Sequence, residues 1–209
     1  MKTIACACVL LPLAANAATL SNTWTVNATI PDNDDVGYTD TRNLVTLDIS
    51  QIESVTVALN FTGGWNGDIF AYLVHSTGFT VLLNRPGRDT GAPDGSATVG
   101  MAITLDDLAT TDIHTGIPMS GGIVTGTWKP DGRTADPLVV VSSDPRNALF
   151  SSFDGLDANG NWTLFVADQS AGNTSTLQSW SLTVTGVPEP SAALFAAMAS
   201  MGLLRRRRE

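Results

Sequence analysis

Two histidines, His75 and His114, are the only imidazole groups in this 209-residue chain. A serine hydrolase needs a histidine base beside a nucleophilic hydroxyl, with a third group that orients the base. Ser76 adjoins His75, but no Gly-x-Ser-x-Gly sequence surrounds either histidine, and His-Glu-x-x-His and the phosphate-binding Gly-Lys-Ser/Thr loop are also missing. Two isolated histidines are too few for an ordinary zinc site. We therefore expect no catalytic residue and no enzyme activity.

Aspartate is the residue type best suited to bind a ligand here, because loops rich in carboxylates hold hard cations. The adjacent pair Asp106 and Asp107 diverges on either a strand or a helix, so it is a poor glycosidase pair. No EF-hand spacing occurs. Calcium is the cofactor that the aspartates favour, and the alternative is that they only form turns and caps. The candidate ligands are Asp32, Asp34, Asp68, Asp106, Asp107, Asp154, Asp157 and Asp168.

Aromatic side chains offer a second kind of chemistry, since exposed rings stack on sugars. Trp65 is the best candidate for carbohydrate binding, because it lies in the glycine-rich turn between Gly63 and Gly67. Trp128, Tyr38 and Tyr72 could contribute if they are exposed. The alternative for Trp65 is that it closes the end of a β-sandwich.

Net charge excludes one class of partner. Residues 18–187 contain six basic and eighteen acidic side chains, a formal charge of −12. Such a domain does not bind nucleic acid or an anionic membrane by electrostatic attraction.

Alternation of apolar and polar residues predicts the elements that must position these side chains. It predicts half-buried strands that begin at Trp24, Val55, Trp162 and Trp180. Trp162 and Trp180 are expected to be buried in the core. Turn sequences such as Asn66-Gly67 and Asp131-Gly132 separate them. The pattern indicates an all-β, jelly-roll-like β-sandwich of eight or nine strands. The other predicted segments are strands at 69–74, 80–83, 99–105, 123–128 and 138–141, a long loop at 106–122, and a helical turn at 105–109.

The N-terminal residues predict export. Lys2 precedes a short apolar stretch, Ile4–Leu13, and Ala15-Asn16-Ala17 is a small-x-small cleavage sequence. This order is typical of a secretory signal peptide, here residues 1–17, with cleavage after Ala17. Both cysteines, Cys6 and Cys8, lie inside it. We therefore expect a mature chain without disulfides or a thiol nucleophile.

The C-terminal segment, residues 187–209, has three parts. Pro188, Glu189 and Pro190 precede an apolar run, Ala192–Leu204, which as a helix of about 1.5 Å rise per residue is short for an independent transmembrane helix. The positive cluster of Arg205, Arg206, Arg207 and Arg208 follows and favours retention on the cytoplasmic side.

This order resembles the PEP-CTERM sorting signal. The resemblance implies processing by an exosortase in a Gram-negative bacterium that makes exopolysaccharide. It also implies a transient anchor in the inner membrane before delivery to the cell surface or extracellular matrix.

Four stretches between the two ends resemble the P domain, also called P/Homo B, of proprotein convertases. They are IPDND from Ile30, GDIFAYLVHSTGFTVLLNRPG from Gly67, GTWKPDG from Gly126, and the segment Phe153–Gly186. The last contains Gly-x-Trp-x-Leu-x-Val-x-Asp followed by Leu-x-x-Trp-x-Leu. The resemblance implies a jelly roll over residues 18–186 that, in convertases, packs on and stabilises a catalytic domain. Because the predicted signal peptide leads almost directly into this region, we expect no catalytic domain before it.

These observations predict an exported, non-catalytic surface or matrix protein with a structural or adhesive role. One alternative is a carbohydrate-binding module for exopolysaccharide. Another is an accessory P domain that acts with a separate subtilisin-like serine endopeptidase.

Overall fold

The computed structural model describes residues 17–46 and 48–187, which form a sandwich of two β-sheets. The larger sheet has the order β1-β10-β3-β6, with β7 and β8 both beside β6, and the smaller sheet has the order β2-β9-β4-β5. The fold class predicted from sequence is thus confirmed. The ten strands of the described residues are β1 Ala18–Thr29, β2 Asp34–Leu44, β3 Gln51–Trp65, β4 Ile69–His75, β5 Gly78–Asn84, β6 Ala97–Leu105, β7 Ser120–Gly121, β8 Val124–Trp128, β9 Gly160–Asp168 and β10 Ser175–Val187.

Strand register explains the alternation in sequence. In the larger sheet β1, β10, β3 and β6 pair antiparallel, while β7 and β8 run parallel to β6. The outward residues of β1 and β10 are hydroxyl side chains that bond across the strands, such as Ser21 with Thr183 at 2.8 Å. The inward residues form the hydrophobic core.

Two tryptophans predicted to be core residues are buried. Trp162 is 0% exposed and Trp180 is 1% exposed. Their indole N–H groups do not lose hydrogen bonds on burial, because Trp162 donates to the carbonyl of Ala158 at 3.1 Å and Trp180 to the carboxylate of Asp40 at 2.8 Å. Each ring therefore fills core volume without leaving a buried N–H group unpaired.

Two local expectations were wrong, and one strand was not predicted. Residues 138–141 do not form a strand, because Asp136 accepts the backbone N–H of Leu138 at 2.8 Å and holds the segment in turns. The helical turn lies at α1, Ile113–Gly116, with Asp112 as its N-cap, and not at 105–109. Sequence patterning missed β2, whose pairing with β9 is interrupted between Asp34 and Tyr38.

Four connections cross between the sheets at one end of the sandwich, which we call the crossover end. They are the β1–β2 loop, a 3-10 turn Asn66–Asp68 between β3 and β4, the β5–β6 loop and the β9–β10 loop. Strand register places them together, since Ile69 pairs with Asp168 and Ser175 pairs with Gly63.

No helix within the described ranges is long and apolar enough to cross a membrane. The signal peptide up to Asn16 and the sorting residues Pro188, Glu189, Pro190 and Arg205–Arg208 lie outside those ranges. Ala17, the predicted cleavage position, is exposed just before β1. Export and sorting stay predictions.

Candidate functional site

Two buried aspartates meet at the crossover end. Asp68 closes the 3-10 turn before β4, and Asp168 is the last residue of β9. The backbone N–H of Gln169 donates to the carbonyl of Asp68 at 2.8 Å, which holds the two segments side by side. Asp68 is 1% exposed and Asp168 is 0% exposed. Both carboxyl groups have therefore left water.

Neither carboxyl group is fully satisfied by hydrogen bonds. Asp68 Oδ1 and Asp168 Oδ2 are buried and accept no hydrogen bond. The nearest cation to Asp68 Oδ1 is Arg85 Nη2 at 3.7 Å, which is too long for a hydrogen bond. The other oxygen of Asp168 accepts the backbone N–H of Ser170 at 3.1 Å.

Burial and neighbouring negative charge raise the pKa of both carboxyl groups. Burial, followed by the charge of Asp168, raises the pKa of Asp68 to about 7, and Arg85 offsets only part of this rise. Burial raises the pKa of Asp168 to about 6, and the charge of Asp32 adds to the rise. Both carboxyl groups therefore hold a proton more readily than an aspartate in water does.

The β1–β2 loop supplies two more predicted ligands. Both carboxylate oxygens of Asp32 accept the backbone N–H of Gly172, at 3.0 and 3.1 Å, which ties this loop to the β9–β10 loop. Asp34 instead accepts the N–H of Val36 at 2.8 Å and shapes the start of β2. Asp32 therefore contacts the other loops of the crossover end, whereas Asp34 only stabilises its own turn.

The remaining four predicted ligands lie elsewhere. Asp106, Asp107 and Asp154 line a shallow cavity of about 270 Å³ with Glu53. Asp106 accepts the N–H of Leu108 at 2.8 Å, and Asp107 accepts that of Ser151 at 3.1 Å. Burial, followed by the charge of Asp107, raises the pKa of Asp154.

Asp157 forms an isolated turn. It accepts the backbone N–H and the side-chain amide of Asn159, at 2.9 and 2.8 Å, and these hydrogen bonds lower its pKa. Over residues 17–46 and 48–187, no three side chains of His, Cys, Asp or Glu form a preassembled metal cluster. The eight aspartates thus divide into several groups, and calcium stays a prediction.

His75 contacts the core and not a nucleophile. Its ring stacks on Trp162 with centroids 4.0 Å apart and planes 3° from parallel. Nδ1 lies 3.0 Å from the carbonyl oxygen of Asn161, and Nε2 lies 2.6 Å from that of Asp157. Both ring nitrogens face backbone carbonyl groups instead of a serine hydroxyl.

His114 belongs to a buried ionic network that sequence reasoning missed. Its Nδ1 lies 2.8 Å from Asp131 Oδ2, and its Nε2 lies 2.9 Å from the carbonyl oxygen of Arg88. Arg133 pairs with Asp131 at 3.1 Å and with Asp112 at 3.0 Å. Burial lowers the pKa of His114, but the hydrogen bond and charge of Asp131 outweigh burial and raise it.

The sequence carried one weak signal for this network. Asp131-Gly132-Arg133 reads as an exposed turn, yet Asp131 is 0% exposed and Arg133 is 2% exposed. An arginine two residues after an aspartate is compatible with an ion pair, but its burial depends on the packing of α1 and β5 above it.

Trp65 and Tyr72 lie on different surfaces. Trp65 is 37% exposed at the end of β3, opposite Val99 of β6. Tyr72 lies on the outer face of the smaller sheet, where its ring stacks on Phe165 of β9 with centroids 4.7 Å apart. The predicted sugar-binding aromatics are therefore not assembled into one site.

Comparison with protein families matches residues 139–184 to the proprotein convertase P-domain. The match covers less than a quarter of the chain and ends near the end of β10. It supports the resemblance seen in the segment Phe153–Gly186. No curated protein matches the chain.

Comparison with solved structures finds two weak matches. A crystal structure of the Aeromonas sobria serine protease in complex with its chaperone is 17% identical over 82% of this chain and 27% of that chain, with a TM-score of 0.43. A crystal structure of the same organism's serine protease is 16% identical over 84% of this chain and 28% of that chain, with a TM-score of 0.42. This chain spans less than a third of the length of either.

Proposed function

We propose that the chain is an exported, non-catalytic β-sandwich that binds a partner at the cell surface. One observation carries this proposal, an aromatic cluster on the outer face of the smaller sheet formed by Phe70, Tyr72, Phe79 and Phe165. Tyr72 is its centre, with ring centroids 4.7 Å from Phe165, 5.4 Å from Phe79 and 5.9 Å from Phe70. Outward positions of a sheet that meets only water are usually polar, so four adjacent rings there favour a binding surface.

The border of the aromatic cluster supports the same reading. Val36 is 81% exposed, and Leu138 and Val139 of the neighbouring loop are 56% and 65% exposed. A groove of about 420 Å³ runs between this loop and the rings, with Asp35 and Asp136 among its lining residues. Contiguous exposed apolar surface with a polar rim is typical of interaction sites.

Export and sorting complete the proposal. The signal peptide directs secretion, and the exosortase that recognises Pro188-Glu189-Pro190 releases the domain from its transient anchor to the cell surface or exopolysaccharide matrix. The role there is structural or adhesive. The absence of catalysis is supported by His75 and His114, whose ring nitrogens are engaged by structural partners.

Two more specific roles have separate support. A carbohydrate-binding role is favoured by the stacked rings beside carboxylate and amide groups, because sugars present apolar faces and hydroxyl edges. An accessory role with a separate serine endopeptidase is favoured by the P-domain match of residues 139–184.

Cell-surface retention tests the binding proposal. The variant Tyr72→Ala/Phe165→Ala should lose at least about tenfold in retention on cells and on isolated exopolysaccharide, since central aromatics dominate interfaces. The matched control is Thr41→Ala/Thr163→Ala, which removes a hydroxyl pair from the same sheet face. Retention equal to wild type in the aromatic variant overturns the proposal.

The same samples separate the specific roles. Binding to isolated exopolysaccharide supports the carbohydrate role, and a further loss in Trp65→Ala would place Trp65 in that site. Capture of a serine endopeptidase supports the accessory role. Peptide or glycan hydrolysis by the wild type that disappears in a His75 or His114 variant overturns the non-catalytic assignment.

A further inference from the structure

The crossover end concentrates carboxylates from four connections. Asp32 lies in the β1–β2 loop, Asp68 in the 3-10 turn, Asp94 in the β5–β6 loop and Asp168 at the start of the β9–β10 loop. Asp32, Asp94 and Asp168 all act electrostatically on Asp68. These residues are far apart in sequence and meet only because each connection crosses between the sheets at this end.

Positive charge at the crossover end is smaller than negative charge. Arg85 is buried there, with its Nε donating to the carbonyl of Gly67 at 2.9 Å and its Nη2 at 3.7 Å from Asp68 Oδ1. The neighbouring Arg88 is directed away, because its guanidinium donates to the carbonyl groups of Leu138 and Val140. One guanidinium, that of Arg85, is thus shared among Asp68, Asp94 and Asp168.

The second observation is independent of this charge count. Asp68 Oδ1 and Asp168 Oδ2 are fully buried and have no hydrogen-bond donor at ordinary geometry among the described residues, although the backbone N–H of Asn33 is close enough to Asp168 to lower its pKa. A buried carboxylate oxygen without a donor costs several kcal/mol in general, so such groups are paired or coordinate metals. Two such oxygens, on segments joined by a backbone hydrogen bond, resemble a metal site that lacks its ion.

We propose that Asp68 and Asp168 bind one calcium ion at the crossover end, with Asp32 as an additional outer carboxylate. Calcium fits because it takes six to eight oxygen ligands in irregular geometry and accepts carboxylates together with backbone carbonyls and water. The histidine and cysteine ligands that select zinc are not part of this group.

The position of the ion gives it a structural role. Asp68 precedes β4, Asp168 ends β9, and Asp32 joins β1 to β2, so the ion connects segments that lead into both sheets. Calcium therefore cross-links the connections that hold the two layers together. The cavity near Asp106, Asp107 and Asp154 is at a different place. Asp107 Oδ1 is also a buried oxygen without a partner, but Asp107 is only partly buried and no second such carboxylate oxygen lies beside it.

Thermal unfolding with and without calcium tests the site. Calcium chloride at about 100 times the dissociation constant should raise the Tm of the purified protein by roughly 5–10 °C. The variant Asp68→Asn/Asp168→Asn should lose this rise, whereas Asp106→Asn/Asp107→Asn, which removes the same number of charges, should keep it. Magnesium at equal concentration should produce a much smaller rise.

Direct binding keeps the test independent of folding effects. Calorimetric titration with calcium should give one site per chain in the wild type and none in the Asp68/Asp168 variant, whose fold is checked by circular dichroism in calcium-free buffer. No binding by the wild type, an unchanged Tm, equal stabilisation by magnesium, or calcium stabilisation retained by the Asp68/Asp168 variant each overturns the proposal. The outcome does not affect the aromatic cluster, so the two proposals fail separately.

Discussion

The two buried acidic regions of this domain contrast in how their charges are neutralised. In the network of His114, Asp131 and Arg133, each carboxylate oxygen of Asp131 has a charged or hydrogen-bonding partner within 3.1 Å. At the crossover end, Asp68 and Asp168 each keep one oxygen without a donor. The same residue type at the same burial is thus a completed structural element in one region and an incomplete one in the other.

Burial alone does not distinguish a paired aspartate from an unpaired one. Asp131 and Asp168 are both 0% exposed. They differ in whether both carboxylate oxygens have a hydrogen-bonding or charged partner. A paired carboxylate contributes to the fold, whereas an unpaired one needs a proton or a cation. Mutations in the two regions should therefore have different signs.

The largest effect is expected from breaking the completed network. Arg133→Met should cost about 3–5 kcal/mol of unfolding free energy, because it leaves the buried Asp131 and the partly buried Asp112 without their shared cation. Urea denaturation measures this loss. Arg42→Met is the control, since Arg42 is partly exposed in its pair with Asp40 and should change stability far less. A loss below about 1 kcal/mol for Arg133→Met would mean that the network is not completed in solution.

The next effect compares equivalent changes in the two regions. Asp131→Asn should cost about 2–3 kcal/mol, because charge-assisted hydrogen bonds to His114 and Arg133 are lost. Asp168→Asn in calcium-free buffer should be neutral within about 0.5 kcal/mol or stabilising, because it removes a charge that repels Asp68. If denaturation in calcium-free buffer gave the same loss of unfolding free energy for Asp131→Asn and Asp168→Asn, the two regions would not differ in the way described.

The smallest effect is the pH dependence of the network. Because the pKa of His114 is raised in the folded state, its stabilising contribution is complete below the unfolded pKa of 6.5 and is lost as pH rises through the folded pKa. Each pKa unit is worth about 1.4 kcal/mol. Wild type should therefore lose stability relative to His114→Gln between pH 6 and pH 8. A constant difference between the two proteins over this range would show that His114 does not titrate there.

Much of the fold could be predicted because β-strands leave a period-two pattern. Trp162 and Trp180 were placed in the core from alternation alone, and the structure confirms both. The pattern fails where backbone geometry departs from a regular strand. It missed β2, where the ladder is interrupted after Asp34, and it assigned a strand to residues 138–141, which Asp136 holds in turns.

The candidate site could be predicted only as a set of residue types. Composition and spacing singled out eight aspartates, but the contacts at Asp32, Asp68 and Asp168 could not be separated from the turn contacts at Asp34 and Asp157. Sequence reasoning also missed Arg85 and Arg133, because nothing local shows that an arginine is buried.

The sequence by itself determined the all-β class, the acidic charge and the core tryptophans, because periodicity and composition are local properties of the chain. The tertiary structure alone decided which aspartates meet, which are paired and which aromatic rings form a surface. The physical reason is that the crossover connections bring Asp32, Asp68 and Asp168 together across more than a hundred residues, and whether a buried charge is satisfied depends on neighbours that only this chain path supplies.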